Sequence, residues 1–188
     1  MFGSYISMVH DGPDLVRAAE RPGHGQLVSI PSIQLALANL RERYQYILVD
    51  SPPSLSEHVL AAVDTADLVW AITGPTRAEL TATKELLKLF DRLEVAPGRR
   101  LVILDENRLD IPAVDAEEIL GRRPDVTIRF SAEIMAAIDS GAPLAQSDPE
   151  AESLGTIAEL AAGLEDRLLR AVGRNPARGL ARKAQASS

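Results

Sequence analysis

The sequence contains no cysteine, and its hydrophobic residues do not gather into long runs. A chain without cysteine forms no disulfide, holds no metal through thiolates and has no cysteine nucleophile. No apolar run approaches the roughly eighteen residues of a membrane-spanning helix, and the first residues lack the basic and apolar regions of a secretory signal. We therefore expect a cytoplasmic protein with at most a peripheral contact to a membrane.

Glycine and lysine are sparse where nucleotide chemistry would need them. No two of the 12 glycines are adjacent, and none of the three lysines, Lys84, Lys88 and Lys183, follows a glycine. A phosphate-binding loop needs clustered glycines for close backbone approach and a lysine at the first helical turn. The sequence therefore contains no such loop.

Charge is distributed unevenly along the chain, whose net charge is −7. Residues 174–188 carry four basic side chains and no acid, which leaves −11 on residues 1–173. An acidic body repels phosphates and is a poor general platform for nucleic acid. The basic tail predicts either a solvated terminus or a local contact with nucleic acid or an anionic membrane. Its basic residues are Arg174, Arg178, Arg182 and Lys183.

Short apolar runs alternate with helical patterns. Continuous rather than alternating hydrophobicity is typical of strands covered on both faces, as in a parallel sheet. The three clear strand candidates are Tyr46–Val49, Leu68–Ile72 and Leu101–Leu104, and two weaker ones are Gln26–Ile30 and Val126–Phe130. Helical spacing of apolar residues predicts helices over Pro31–Arg43, Ser56–Thr65, Arg77–Leu93, Asp115–Leu120, Ala132–Asp139 and Glu150–Val172.

This alternation of strand and helix predicts the fold class. We expect a doubly wound, mostly parallel α/β sheet of about five strands flanked by helices. A single domain would cover residues 1–173, followed by a basic, disordered tail over residues 174–188.

Polar residues end the apolar runs, where ligands bind in open parallel sheets. The sharpest of them is Asp50, followed by Ser51, Pro52 and Pro53. A carboxylate at the end of a buried strand can hold Mg²⁺ through water beside a phosphate. The alternative is a carboxylate that caps the turn by accepting backbone N–H bonds. Sequence spacing alone leaves both interpretations open.

These residues belong to a segment that resembles a known protein family. The segment from residue 44 to residue 93 resembles the ParA/MinD family of partition and positioning ATPases, including its CpaE-like pilus-assembly branch. The residues that match the family pattern in order are Tyr44, Tyr46, Asp50, Pro52, Pro53, Ala66 and Asp67. The pair Asn107 and Arg108 resembles the motif whose asparagine contacts adenine, and residues 136–143 resemble a later family segment. The resemblance covers roughly residues 13–172 and implies a nucleotide-binding fold with Asp50 near water-bound Mg²⁺.

The departures from the family bear on function. Family members carry a glycine- and lysine-rich phosphate loop and a later Asp-x-Asp strand, and neither occurs in this sequence. The chain is expected to begin after both. We therefore expect a regulatory or scaffold module that does not hydrolyse ATP alone and that works through a protein partner or a homo-oligomer. Two alternatives stay open: a composite ATPase whose phosphate loop comes from another chain or an upstream segment, and an interaction protein that uses its basic tail. ATP and Mg²⁺ would be cofactors only in the composite case.

Overall fold

The computed structural model describes residues 6–7, 12–16, 28–106 and 115–171. The chain divides into two compact units, residues 1–66 and residues 67–188. The predicted boundary of a single domain at residue 173 stays a prediction, and the basic tail lies outside the described residues.

In its described residues, the first unit contains a short antiparallel strand pair and two helices. Its elements are β1 (Ile6–Ser7), β2 (Leu15–Val16), α1 (Ile30–Arg41) and α2 (Glu57–Thr65). The side chain of Ser29 caps α1, and that of Ser56 caps α2 as the sequence predicts. The Arg41 guanidinium donates to the carbonyl of Thr65 at 2.5 Å. This bond joins the last turn of α1 to the last turn of α2.

The second unit contains the parallel sheet. Its elements are β3 (Val69–Thr73), α3 (Arg77–Arg92), a 3₁₀ turn (Pro97–Arg99), β4 (Arg100–Asp105), α4 (Ala116–Leu120), β5 (Val126–Ile128), α5 (Ala132–Ser140), α6 (Leu144–Ser147), α7 (Glu152–Ala162) and α8 (Leu164–Ala171). The described strands run in the order β3-β4-β5, and both neighbouring pairs are parallel. Parallel neighbours require helical crossovers, which α3 and α4 provide.

Alternate residues of β4 fill two separate cores, one on each face of the sheet. Val102 and Leu104 pack with Leu80 of α3 and Leu120 of α4. On the opposite face, Leu101 and Ile103 of the strand pack with Leu160 of α7 and with apolar residues of the neighbouring strands. Helices therefore cover both faces, which confirms the doubly wound α/β class.

The sheet is smaller than expected. Three of the five predicted strand segments form β3, β4 and β5, but Tyr46–Val49 lies outside both sheets. Its apolar pattern matches a buried strand, yet Leu48 is 80% exposed and Val49 54% exposed. A strand needs a neighbouring strand for its backbone hydrogen bonds, and no described strand lies alongside it. The prediction for Gln26–Ile30 is also wrong in its described part, because α1 begins at Ile30.

The predicted long helix over Glu150–Val172 is divided. Helices α7 and α8 meet at Gly163, whose backbone N–H donates to the carbonyl of Glu159 at 3.0 Å. Glycine is a poor helix former because its backbone loses the most entropy on folding. The other predicted helices are present, and none of their ends is shifted by more than two residues.

An aspartate extends the ladder between β4 and β5. The Asp125 backbone N–H donates to the Val102 carbonyl at 2.8 Å, and the Val102 N–H donates to the Asp125 carboxylate at 2.7 Å. Val102 is fully buried, so its amide needs an acceptor from the protein. The carboxylate supplies that acceptor directly before β5 begins.

A buried arginine connects the end of α3 to the start of β4. The Arg100 side chain is only 7% exposed and lies 5.8 Å from the centre of the Phe90 ring. Its guanidinium donates to Asp91 at 2.6 Å and also to the carbonyl of Val95. Val95 is buried, so its carbonyl needs a donor from the protein, and Arg100 supplies one.

We expect Arg100→Ala to lower the free energy of unfolding by about 2 kcal/mol, because it removes packing on Phe90 and the donor to a buried carbonyl. Asp91→Ala should cost less than about 1 kcal/mol, since the Asp91 side chain is 68% exposed and water replaces its partner. Urea unfolding followed by circular dichroism measures both variants. Equal losses would contradict the assignment of Arg100 as the buried partner.

A second prediction concerns the first unit, where the Tyr44 hydroxyl donates to the Asp14 carboxylate at 2.7 Å. This hydrogen bond, then burial, then the negative charge of Asp14 raise the pKa of Tyr44 above its ordinary value of 10.0. A raised pKa stabilises the folded state below the unfolded pKa, and this contribution is lost as the pH rises through the folded pKa.

Asp14→Ala should therefore lower the pKa of Tyr44. Phenolate absorbance near 295 nm measures it in a background of Tyr5→Phe and Tyr46→Phe, with Asp64→Ala as the control. An unchanged titration midpoint in Asp14→Ala would show that the bond does not form in solution.

Candidate functional site

The carboxyl ends of the three parallel strands lie at one edge of the second unit, where open α/β sheets bind ligands. Strand β3 ends at the buried Thr73, β4 at Asp105 and β5 at Ile128. Two acids, Asp105 and Glu106, end the central strand, and both are half-buried. The end of the central strand therefore carries two acids, whereas Arg129 directly follows β5 at the same edge.

The helix that follows β3 is capped by its own carboxylate. The Thr76 hydroxyl lies 2.5 Å from a Glu79 carboxylate oxygen, and the Thr76 backbone N–H donates to the same oxygen at 3.2 Å. The Glu79 backbone N–H donates in turn to the Thr76 hydroxyl at 3.1 Å. These contacts form a complete capping box. The partial positive charge at the start of α3 is thus compensated from within the chain.

Gly74 makes room for this carboxylate. A Cβ atom at Gly74 would collide with the carboxyl group of Glu79. A larger residue at position 74 would therefore displace the Glu79 carboxyl group from its present place in the capping box. Because helix N-termini attract anions, an external phosphate at α3 would have to compete with Glu79.

The junction after β5 has a similar internal acid. Ser131 caps α5 by accepting from the N–H of Ile134 at 3.2 Å, and its hydroxyl donates to Glu133 at 2.6 Å. That hydrogen bond lowers the pKa of Glu133 below its ordinary range. The Ser131 hydroxyl also lies 3.1 Å from the hydroxyl of Ser153, which connects the start of α5 to α7.

The predicted site residues fall into two groups. Asp50, Ser51 and Pro52 lie in an exposed loop of the first unit. The N–H of Ser54 donates to the carbonyl of Pro52 at 2.7 Å, which closes the loop. Within the described parts of the chain, the Asp50 carboxylate accepts no hydrogen bond, so it does not cap its turn. Its role toward Mg²⁺ stays a prediction.

The adenine motif, Asn107 and Arg108, lies outside the described residues. In the ranges that are described, no group of three or more acidic or histidine side chains is arranged to hold a metal ion. Among those same residues, no helix is both long and apolar enough to cross a bilayer.

A groove that the sequence reasoning missed follows β5. Its volume is about 640 Å³, and it is lined by Glu106, Arg129 and residues 123–127. From residue 121 to residue 130, exposed and half-buried side chains alternate without interruption. Strand β5 covers only Val126–Ile128 of this stretch, and the exposed Arg123 and Arg129 lie before and after it. Polar and apolar residues alternate from Arg123 to Phe130, and this alternation is the signal that could have revealed the two arginines.

No protein-family model matches the sequence, and no curated protein matches it. Solved structures do match the fold. A ParA family ATPase from Chlorobium tepidum superimposes with a TM-score of 0.74 at 19% identity, covering 85% of this chain and 68% of that one. The septum site-determining protein MinD from Pyrococcus horikoshii, in complex with Mg-ADP, gives 0.67 at 21% identity, covering 86% and 67%.

The MinC:MinD cell division complex of Aquifex aeolicus gives a TM-score of 0.57 at 18% identity, with 79% of this chain and 61% of that one covered. The chain thus spans about two thirds of the length of these structures. At such identities the similarity establishes architecture. The chain has the α/β fold of the ParA/MinD ATPases.

Proposed function

We propose that this chain is a ParA/MinD-like module that works by binding a protein partner and does not hydrolyse ATP by itself. Its process would be partition, division positioning or pilus assembly, in the cytoplasm or at the membrane periphery. The observation that carries the proposal is that the 188 residues contain no glycine- and lysine-rich phosphate loop to accompany Asp50.

The size of the expected catalytic loss supports this proposal. Phosphoryl transfer is catalysed almost entirely by positioned N–H groups, lysine and Mg²⁺, and the loss of one positioned donor commonly costs about 10²–10³ in rate. This chain lacks the whole loop. In addition, Glu79 occupies the start of α3, Asp105 is the last residue of β4, and Glu106 follows it. The negative charge of each of these carboxylates would repel the phosphates of a bound triphosphate.

Exposed apolar side chains in the first unit support a role in protein binding. Leu35 is 63% exposed, Leu48 80% and Val49 54%. Leu48 and Val49 are neighbours in the sequence, and exposed apolar surface of this kind is found at interaction sites. A structural relative, MinD of Aquifex aeolicus, is found in a complex with MinC. A protein partner therefore fits both the surface and the fold of this chain.

A composite ATPase is the second candidate, and the apolar segment before Asp50 favours it. Leu48 and Val49 lead directly into Asp50 and lie outside both sheets. A strand from another polypeptide could pair with this segment and bring a phosphate loop to Asp50. Asp50 would then organise the water around Mg²⁺, and Asn107 with Arg108 would contact adenine.

The first candidate predicts that the full chain alone neither binds ATP with micromolar affinity in the presence of Mg²⁺ nor releases phosphate above background. Titration of fluorescent ATP and a continuous phosphate-release assay measure these two properties. Micromolar binding with turnover by the isolated chain would overturn the proposal.

The second candidate is tested by adding a polypeptide from a ParA-family relative that carries a strand and a phosphate loop. Turnover that needs both polypeptides supports the composite enzyme if Asp50→Asn abolishes it and Asp64→Asn does not. Asp64 is a matched control because it is an exposed aspartate on α2. No turnover in the mixture leaves the first candidate as the better account.

A further inference from the structure

The hydrogen bonds of β4 show which way its backbone groups point. The Val102 carbonyl accepts from the Asp125 N–H, and the Val102 N–H donates to the Asp125 carboxylate. Both backbone groups of Val102 therefore point toward β5. Successive residues turn these groups to opposite sides of a strand, so the N–H and C=O groups of Leu101 and Ile103 point toward β3.

The outer edge of β3 is consequently unpaired at two residues. In a parallel pair, a residue forms hydrogen bonds with the two neighbours of the residue opposite it. Trp70 lies opposite Leu101, and Ile72 stands in the same relation to Ile103. Bonds from β4 thus go to the residues on either side of Trp70 and Ile72. Within the described residues, the N–H and C=O groups of these two residues have no partner and face outward.

The side chains at this edge are apolar and only partly covered. Trp70 packs against the core on the α7 face of the sheet. Ile72 lies on the same face, since it is two residues further along the strand, but it is 64% exposed. Edge strands are commonly protected by charged residues or proline, and Val69–Thr73 contains neither. This edge is therefore receptive to an added strand.

A second copy of this chain presents a matching strand. Antiparallel pairing about Ala71 would place Trp70 of one copy opposite Ile72 of the other, and two-fold symmetry would repeat this contact. The outward-facing backbone groups of these residues would then form two hydrogen-bonded pairs. Each exposed Ile72 side chain would contact an indole ring, and pairs of aromatic and β-branched residues stabilise neighbouring strands.

The charges at the two ends of β3 fit the same pairing. Asp67 lies before the start of the strand, and Arg77, the first residue of α3, follows its end. In an antiparallel pair, the start of one strand lies beside the end of the other. Each end of the paired strands would therefore hold Asp67 of one copy and Arg77 of the other, which carry opposite charges. Along Val69–Thr73 itself no like charges face each other, because the segment is uncharged.

We propose that two copies of this chain pair through the outer edge of β3 and form one continuous sheet. Stable protein interfaces bury about 1,200 Å² or more, and an edge of five residues is short in comparison. The association is therefore reversible and needs micromolar protein concentrations. This self-interaction goes beyond the proposed function, and it does not depend on whether the chain hydrolyses ATP.

Sedimentation velocity of the full chain, from about 5 to about 200 µM, tests the proposal. We expect a monomer that converts to a dimer as the concentration rises. Ile72→Lys places a charge on the edge and should weaken the association about ten-fold or more. Ile138→Lys is the matched control, since Ile138 is 66% exposed and lies on α5 of the same unit. It should leave the dimer unchanged.

The only tryptophan of the chain, Trp70, reports on the same edge. Its emission should move to shorter wavelength as the dimer forms, because Ile72 of the other copy covers the ring. Ile72→Lys should abolish this change. Arg77→Gln should weaken the dimer about two-fold or more at low salt, whereas Arg92→Gln, at the other end of α3, should have no effect.

A single monomeric species at every concentration would overturn the proposal, as would a dimer that Ile72→Lys leaves unchanged. A dimer that Ile138→Lys weakens instead would assign the interface to α5. Circular dichroism establishes that each variant is folded. Ile72→Thr keeps a β-branched side chain and removes apolar contact, so it provides the same test if the lysine variant is unfolded.

Discussion

The second unit depends on the burial of β4 on both of its faces. Four consecutive residues, Leu101 to Leu104, are at most 6% exposed and alternate between the two cores. Neither core could close without the other, because a strand with one uncovered face would expose two of these side chains to water. Arg100 and Asp125 act on the same strand. The Arg100 side chain donates to Asp91 at the end of α3, and the Asp125 carboxylate accepts from the buried amide N–H of Val102.

The same constraint explains which parts of the fold could be predicted. Strands β3 and β4 are continuous apolar runs, and such runs are typical of strands covered on both faces. The run from Tyr46 to Val49 has the same pattern but forms no strand. The apolar pattern of one segment does not show whether a neighbouring strand is present to pair with it, so this outcome could not be predicted. The helices followed their caps and their apolar spacing, except that Gly163 interrupts the last one.

The candidate site was predictable to a smaller degree. The sequence alone shows that Asp50 follows an apolar run and that two acids, Asp105 and Glu106, lie at the end of β4. The four-residue pattern from Thr76 to Glu79 is also a known capping signature, but only the coordinates show its carboxylate beside Gly74. The arginines of the β5 groove could not be joined into one surface without the strand register. Register is a property of pairing between segments and not of either segment alone.

Asp125 has a consequence for the way the edge strand is aligned. Slipping a strand by one residue turns all of its side chains to the opposite face. For β5, a slip would move Thr127 and the neighbouring arginines toward the α7 core and expose Val126 and Ile128. It would also take the carboxylate away from the fully buried amide of Val102. The bond of Asp125 to the Val102 amide and the packing of Val126 and Ile128 therefore favour the same alignment of β5.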